Sequence, residues 1–182
     1  MKTLIHILAV LLATAFTGNS QVQILRSTMT FTSSAKSYVG QGLTKTYDNA
    51  EDPQHYFRAK GDGGSHFNIA VSYKEENWDL SIGAPEGKKL EIGKWYADSA
   101  RMAKDHPSLD FSGCGRGNNQ LLGSFIIREL EWGIDGFVSK VAVDFVQFDE
   151  GNEYAWIAGG FRYHSTMPAP DLEALKPKAP TK

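Results

Sequence analysis

The stretch His66–Gly83, HFNIAVSYKEENWDLSIG, decides the fold class. From His66 to Tyr73 the residue type changes with period two. Phe67, Ile69, Val71 and Tyr73 fall on one side, and His66, Asn68, Ala70 and Ser72 on the other. Asn77 to Gly83 repeats the pattern, with Trp78, Leu80 and Ile82 opposed to Asn77, Asp79 and Ser81. Alternation of this kind marks a strand with one buried face. The short polar link Lys74-Glu75-Glu76 predicts that the two strands form an antiparallel hairpin.

Working outward, the same period recurs. Arg26 to Thr32 sets Thr28, Thr30 and Thr32 against Met29 and Phe31. His55 to Lys60, Leu90 to Ala97, Leu109 to Ser112, Leu121 to Trp132, Phe137 to Phe148 and Tyr154 to His164 also read as strands. In Phe137 to Phe148, the residues Phe137, Val141, Val143 and Phe145 are expected to face one way. Ser37 to Tyr47 is broken by glycine and reads as a bulged strand or a loop. Ser99 to Lys104 has room for one helical turn. About nine or ten short strands, with no long helix before residue 170, predict an all-β domain. A mainly antiparallel sandwich, jelly-roll-like or immunoglobulin-like, is expected, with a β-barrel as the alternative.

Met1 to Ser20 reads as a signal peptide: Lys2, the apolar run Leu4 to Leu12, then small residues before Gln21. That run is too short to span a bilayer. Residues 21–166 form the expected β domain. Met167 to Lys182, rich in proline, alanine and lysine, is expected to be a flexible tail with a helical tendency at Asp171 to Leu175. The expected location is therefore outside the cytoplasm: secreted, periplasmic or on the cell surface. The net charge is −2, with no basic stripe of the kind a nucleic-acid partner needs. Cys114 is the single cysteine, so no disulfide can form within the chain.

The candidate chemistry centres on Ser108–Trp132, SLDFSGCGRGNNQLLGSFIIRELEW. Gly113, Gly115 and Gly117 alternate with Cys114, Arg116 and Asn118, and Asn119 follows. Such a loop can point successive amides into an anion nest, with the Arg116 fork beside it. The plainer reading is turn chemistry, with Arg116 paired to a neighbouring acid. Asp110, Glu129, Glu131, Asp144, Asp149 and Glu150 flank the loop. Two of them at the right separation would run glycoside hydrolysis, but Glu129 or Glu131 opposite Lys140 reads equally as a cross-strand ion pair. His55, His66, His106 and His164 lack metal-ligand spacing, and no cofactor motif is present. Trp156 shares a strand face with Tyr154, Ala158, Gly160, Arg162 and His164. That aromatic and polar face is the expected exposed binding surface, with Trp156 packing under Met167 to Pro170 as the other reading.

Several segments resemble an uncharacterised family of exported bacterial all-β proteins. They are Phe111-Ser112-Gly113, Gly115-Arg116-Gly117, Asn118-Asn119, Leu122-Gly123-Ser124-Phe125, Val143 to Gln147, Glu150-Gly151 and Gly160-Phe161-Arg162-Tyr163. Tyr38 to Gly42 and the strand from Trp78 to Pro85 extend the likeness over most of the mature chain. The resemblance implies an exported β-sandwich and no particular activity. In that family one cysteine follows the Gly-Arg-Gly and another precedes the Glu-Gly, places held here by Asn118 and Asp149. If those cysteines pair in relatives, the resemblance implies that the central loop meets the Asp149 turn.

The functional expectation is an exported, non-catalytic β-sandwich that binds an extracellular glycan, a cell-surface component or a protein. The expected ligand-binding residues are Arg116, Asn118, Asn119, Trp156, Arg162 and His164. A polysaccharide-active hydrolase and a structural surface or assembly subunit are the alternatives.

Overall fold

The computed structural model describes residues 25–101 and 104–178. The expected signal peptide and the last four residues of the expected tail lie outside them. The strands are β1 (Thr28–Ser33), β2 (Thr44–Asp48), β3 (Tyr56–Gly61), β4 (His66–Tyr73) and β5 (Glu76–Gly83), then β6 (Trp95–Ala100), β7 (Ser108–Gly113), β8 (Leu121–Trp132), β9 (Val138–Asp149) and β10 (Trp156–Tyr163); a single-turn helix, α1 (Leu172–Leu175), follows. All ten strands belong to one sheet, ordered β2-β1-β10-β9-β8-β6-β7-β5-β4-β3. Every pairing is antiparallel except one bridge between Ala100 of β6 and Ser108 of β7.

The all-β, antiparallel expectation holds. The ten strands form one curled sheet, a half-barrel, because β6 pairs with β8 on one side and bridges to β7 on the other. The curl brings the two halves face to face. Phe31 of β1 lies 4.7 Å from the Trp78 ring of β5 and 5.3 Å from Phe111 of β7. Trp78 and Phe111 stack at 5.5 Å. The lining is the alternating apolar set: Met29 and Phe31, Phe67, Ile69 and Val71, Trp78, Leu80 and Ile82, Phe125 and Ile127, Val141, Val143 and Phe145. Each large side chain removed from water there contributes about 1.5–3 kcal/mol. The one polar atom that Trp78 carries inward, its indole N–H, donates to the Tyr47 hydroxyl at 2.8 Å.

The hairpin β4–β5 closes with a two-residue turn, Tyr73 pairing with Glu76 and Lys74 in the left-handed region at φ 53°. Gly159 shows why glycine is needed at a close approach: a Cβ there would lie 2.7 Å from Cβ of Phe31 and 2.5 Å from the Thr30 carbonyl oxygen.

Three local expectations change. The strand expected from Leu90 begins instead at Trp95, because Gly93 turns the chain at φ 77° and the Tyr96 hydroxyl accepts from the Glu91 amide. Ser99 and Ala100, expected to open a helical turn, finish β6. Phe137 is 48% exposed rather than inward. A register shift between Glu131 and Trp132 gives its place to Val138, which is buried.

After β10 the chain turns at His164, φ 51°, and the Ser165 amide donates to the Arg26 carbonyl at 3.1 Å. Asp171 caps α1 by accepting from the amides of Glu173 and Ala174, and α1 lies against β10. Among the described residues no helix is long and apolar enough to cross a membrane.

Candidate functional site

The glycine-rich loop is a tight turn. Gly113 and Arg116 exchange backbone hydrogen bonds at 2.9 Å across Cys114 and Gly115, whose φ values are 51° and 74°. Arg116 lies over the Trp78 ring, 5.8 Å from its centroid, and its Nε donates to the Val39 carbonyl at 3.0 Å. The Asn119 amide donates to Glu150 Oε1 at 2.8 Å and the Gln120 amide to Glu150 Oε2 at 3.3 Å. Two amides beside the turn thus do hold an anion, and that anion is the chain's own carboxylate.

Asn118 is 2% exposed and its Nδ2 donates to Asp149 Oδ1 at 2.8 Å. Asp149 also accepts from the Ser37 hydroxyl at 2.6 Å and the Val39 amide at 3.1 Å. The buried carboxylate therefore ties three loops together, and the central loop does meet the Asp149 turn. Asn118 Oδ1 is buried without a partner among the described residues.

Of the remaining expected residues, Trp156 and Arg162 lie on the outer face of the sheet, and His164 lies just beyond the end of β10. Residues directly opposite across an antiparallel ladder share a face. Trp156 of β10 stands opposite Phe148 of β9, which stands opposite Leu122 of β8. Four residues along β8 from Leu122, Ile126 stands opposite Trp95 of β6. An apolar row thus crosses three neighbouring strands, and Trp95 of the next strand lies on the same face four residues along. Leu122 is 53% and Trp95 45% exposed, with Trp156 and Phe148 half-buried. Between Trp95 and Leu122 the surface forms a groove of about 400 Å³.

At its far end the same face is closed. Arg162 and Asp144 form an ion pair at 2.7 Å, and Asp144 also accepts from Arg128 Nε at 2.9 Å. Arg162 is only 4% exposed, with Nη1 donating to the Val143 and Phe161 carbonyls and Nε to the Pro168 carbonyl at 2.7 Å. Gly160 makes room for the pair, since a Cβ there would lie 2.8 Å from Asp144 Oδ1. The expected exposed surface is thus restricted to the Trp156 end; Ala158 and Arg162 are buried. His164 stacks on Tyr163 at 3.9 Å. It joins Arg162, Arg26, Leu25 and the 165–169 segment around a cavity of about 430 Å³. Trp156 and Arg162 are six residues apart on one strand, so the six expected residues do not converge on one place; at about 3.3 Å per residue the two ends are ~20 Å apart.

The acids that flank the loop are all engaged. Asp110 pairs with Arg101 at 3.0 Å, and Glu131 with Lys140 at 3.1 Å. Glu129 pairs with the same lysine at 3.6 Å. Asp144, Asp149 and Glu150 hold the contacts already given. The cross-strand reading of Glu131 and Lys140 is the observed register.

Sequence reasoning passed over two regions. One is the Trp95 groove, whose residues come from β6, β8 and the 148–153 turn. The other is a groove of about 570 Å³ formed by Lys45, Tyr47, His55, Tyr73 and Glu76. There Glu76 accepts from Lys45 at 2.6 Å and from the Tyr47 hydroxyl. Burial, reinforced by Glu76, raises the Tyr47 hydroxyl well above its ordinary pKa, against the smaller opposing effect of Trp78. The hydrogen bonds from Lys45 and Tyr47 lower that of Glu76. In both grooves the partners are far apart in sequence, so no spacing motif marks them. Among the described residues no group of three or more His, Cys, Asp or Glu is placed to hold a metal ion.

No family model, no curated protein and no solved structure matches the chain.

Proposed function

We propose that this protein is an exported, non-catalytic β protein that binds an extracellular glycan through the open end of its outer sheet face. The carrying observation is the row Trp156, Phe148 and Leu122, in register across three hydrogen-bonded strands, with Trp95 beyond it. Apolar side chains left exposed together on a rigid sheet mark a contact surface. Aromatic rings offer large flat faces at low conformational cost, which suits the apolar faces of sugar rings. A binding role is supported over a hydrolytic one by the engagement of Asp110, Glu129, Glu131, Asp144, Asp149 and Glu150, the acids that flank the central loop in sequence. Asn118 and Asn119 support the platform indirectly, by fixing the Asp149–Glu150 turn beside it, and Arg116 holds the Val39 loop that bonds the same Asp149.

The test is retention of residues 21–182 on insoluble polysaccharides, with Trp95→Ala and Trp156→Ala compared at equal urea midpoint. Binding should weaken about tenfold in each variant, equivalent to about 1.4 kcal/mol. Unchanged retention in both variants would remove the platform.

A further inference from the structure

Resting on that reading, we infer that the Trp95 groove selects polymers of amino sugars that carry protonated amines. The groove is walled by Trp95, Leu122 and Phe148, with the Ser124 hydroxyl beside them, and its charged lining residues are Asp98 and Glu153. No lysine, arginine or histidine lines it. Both acids are exposed, and neither holds an ion pair or a side-chain hydrogen bond among the described residues. This sets them apart from Asp144, which pairs with Arg128 and Arg162, and from Asp149, which accepts from Ser37, Val39 and Asn118.

The groove owes its shape to a bulge. Pairing of β6 with β8 shifts register between Tyr96 and Ser99, and Asp98 takes φ 52° there. Ala97 and Asp98 are both exposed, whereas the paired Tyr96 and Ser99 on either side are buried. A bulge of this kind re-aims side chains at the cost of a ladder position. Here it sets a carboxylate at the mouth of a groove that already holds an indole.

The chemistry of the occupant follows. A sugar ring stacks its C–H face on an indole. An ammonium group within reach of an indole face is attracted by the ring quadrupole, and two free carboxylates add Coulombic attraction that salt screens. A uronic acid polymer would meet repulsion from Asp98 and Glu153. A neutral glycan would gain only the stacking.

The experiment compares retention on chitosan, chitin, cellulose and polygalacturonate at low and high salt. The wild-type chain should be retained about three- to tenfold better on chitosan than on chitin, the size expected of two solvent-exposed ion pairs. Raising the salt should erase the difference. The double variant Asp98→Asn, Glu153→Gln should bring chitosan down to the chitin level. Equal retention on chitosan and chitin by the wild type, or a double variant that keeps the preference, would overturn the selectivity while leaving the glycan platform intact. Failure of every polymer to retain the protein would overturn both. A dimer in sedimentation that Trp95→Ala dissolves would assign the groove to a second copy of the chain and overturn the inference as well.

Discussion

The two ends of the outer face of β10 differ in what lies over them. Trp156, Phe148 and Leu122 stay open at one end, whereas Arg162 and Asp144 lie beneath the segment that turns at His164 and bonds back at Pro168. Both ends have the same alternation along the strand. One end is a surface and the other an interior because of a chain reversal after the last strand. Period two tells which side a residue is on, and nothing about whether that side is wet.

The largest expected effect would come from breaking the covered end. Arg162→Ala leaves Asp144 buried with Arg128 as its remaining ion-pair partner, and should cost about 3–5 kcal/mol in a urea titration. The paired change Arg162→Met with Asp144→Leu should recover most of that loss, because it removes both charges together. If the single and double variants lose equally, the closed end is held by packing rather than by the charge pair.

Next in size is Asp149→Ala, beside the open end. Ser37, Val39 and Asn118 would each lose a buried acceptor, and we expect a loss of about 3 kcal/mol. The same variant should blunt glycan retention, since the 148–153 turn borders the groove. Intact stability would mean that the loops hold one another without the carboxylate.

Acid unfolding probes three other carboxylates. Burial raises the Asp62 carboxyl, but the Ser65 hydroxyl and the amides of His66, Ser65 and Gly64 outweigh it and hold the group at about 2. Burial likewise raises Asp48 and is outweighed by Arg26 and nearby amides, so its pKa is lowered. Glu76 is lowered by Lys45 and Tyr47. All three folded-state values lie below the unfolded ones, so their stabilisation is complete above about pH 4 and is lost as pH falls through them towards 2. The urea midpoint should therefore be level at neutral pH and drop between about 4 and 2. Asp62→Asn should flatten the lowest part of that drop; an unchanged profile would show that the Asp62 loop does not report on global unfolding.

The smallest stability effect belongs to the open end. Leu122→Ala should move the midpoint by no more than about 0.5 kcal/mol, as for other surface positions, and yet weaken glycan retention. A large loss of stability there would mean that the row is part of the core.

Much of the fold was legible. β4 and β8 have the ends that alternation and turn residues give, and the inward sets of β4 and β5 are those the pattern names. Phe137 was misread because a one-residue bulge reverses facing, and a bulge is a property of two strands, not one. The site was less legible. Trp156 was visible as an aromatic on a small-residue face. Its neighbours Phe148, Leu122 and Trp95 were not, because cross-strand register places them.

By itself the sequence determined which side of each strand is apolar, where most turns fall and that helices have little place here. Those are consequences of local chemistry: a side chain every second residue, and glycine where φ must be positive. The tertiary structure alone decided that ten strands form one curled sheet, that the Asn119 and Gln120 amides are filled by Glu150, and that Arg162 is buried while Leu122 is not. Each of these depends on a contact between segments distant in sequence, and the free energy of such a contact appears only when both segments are in place.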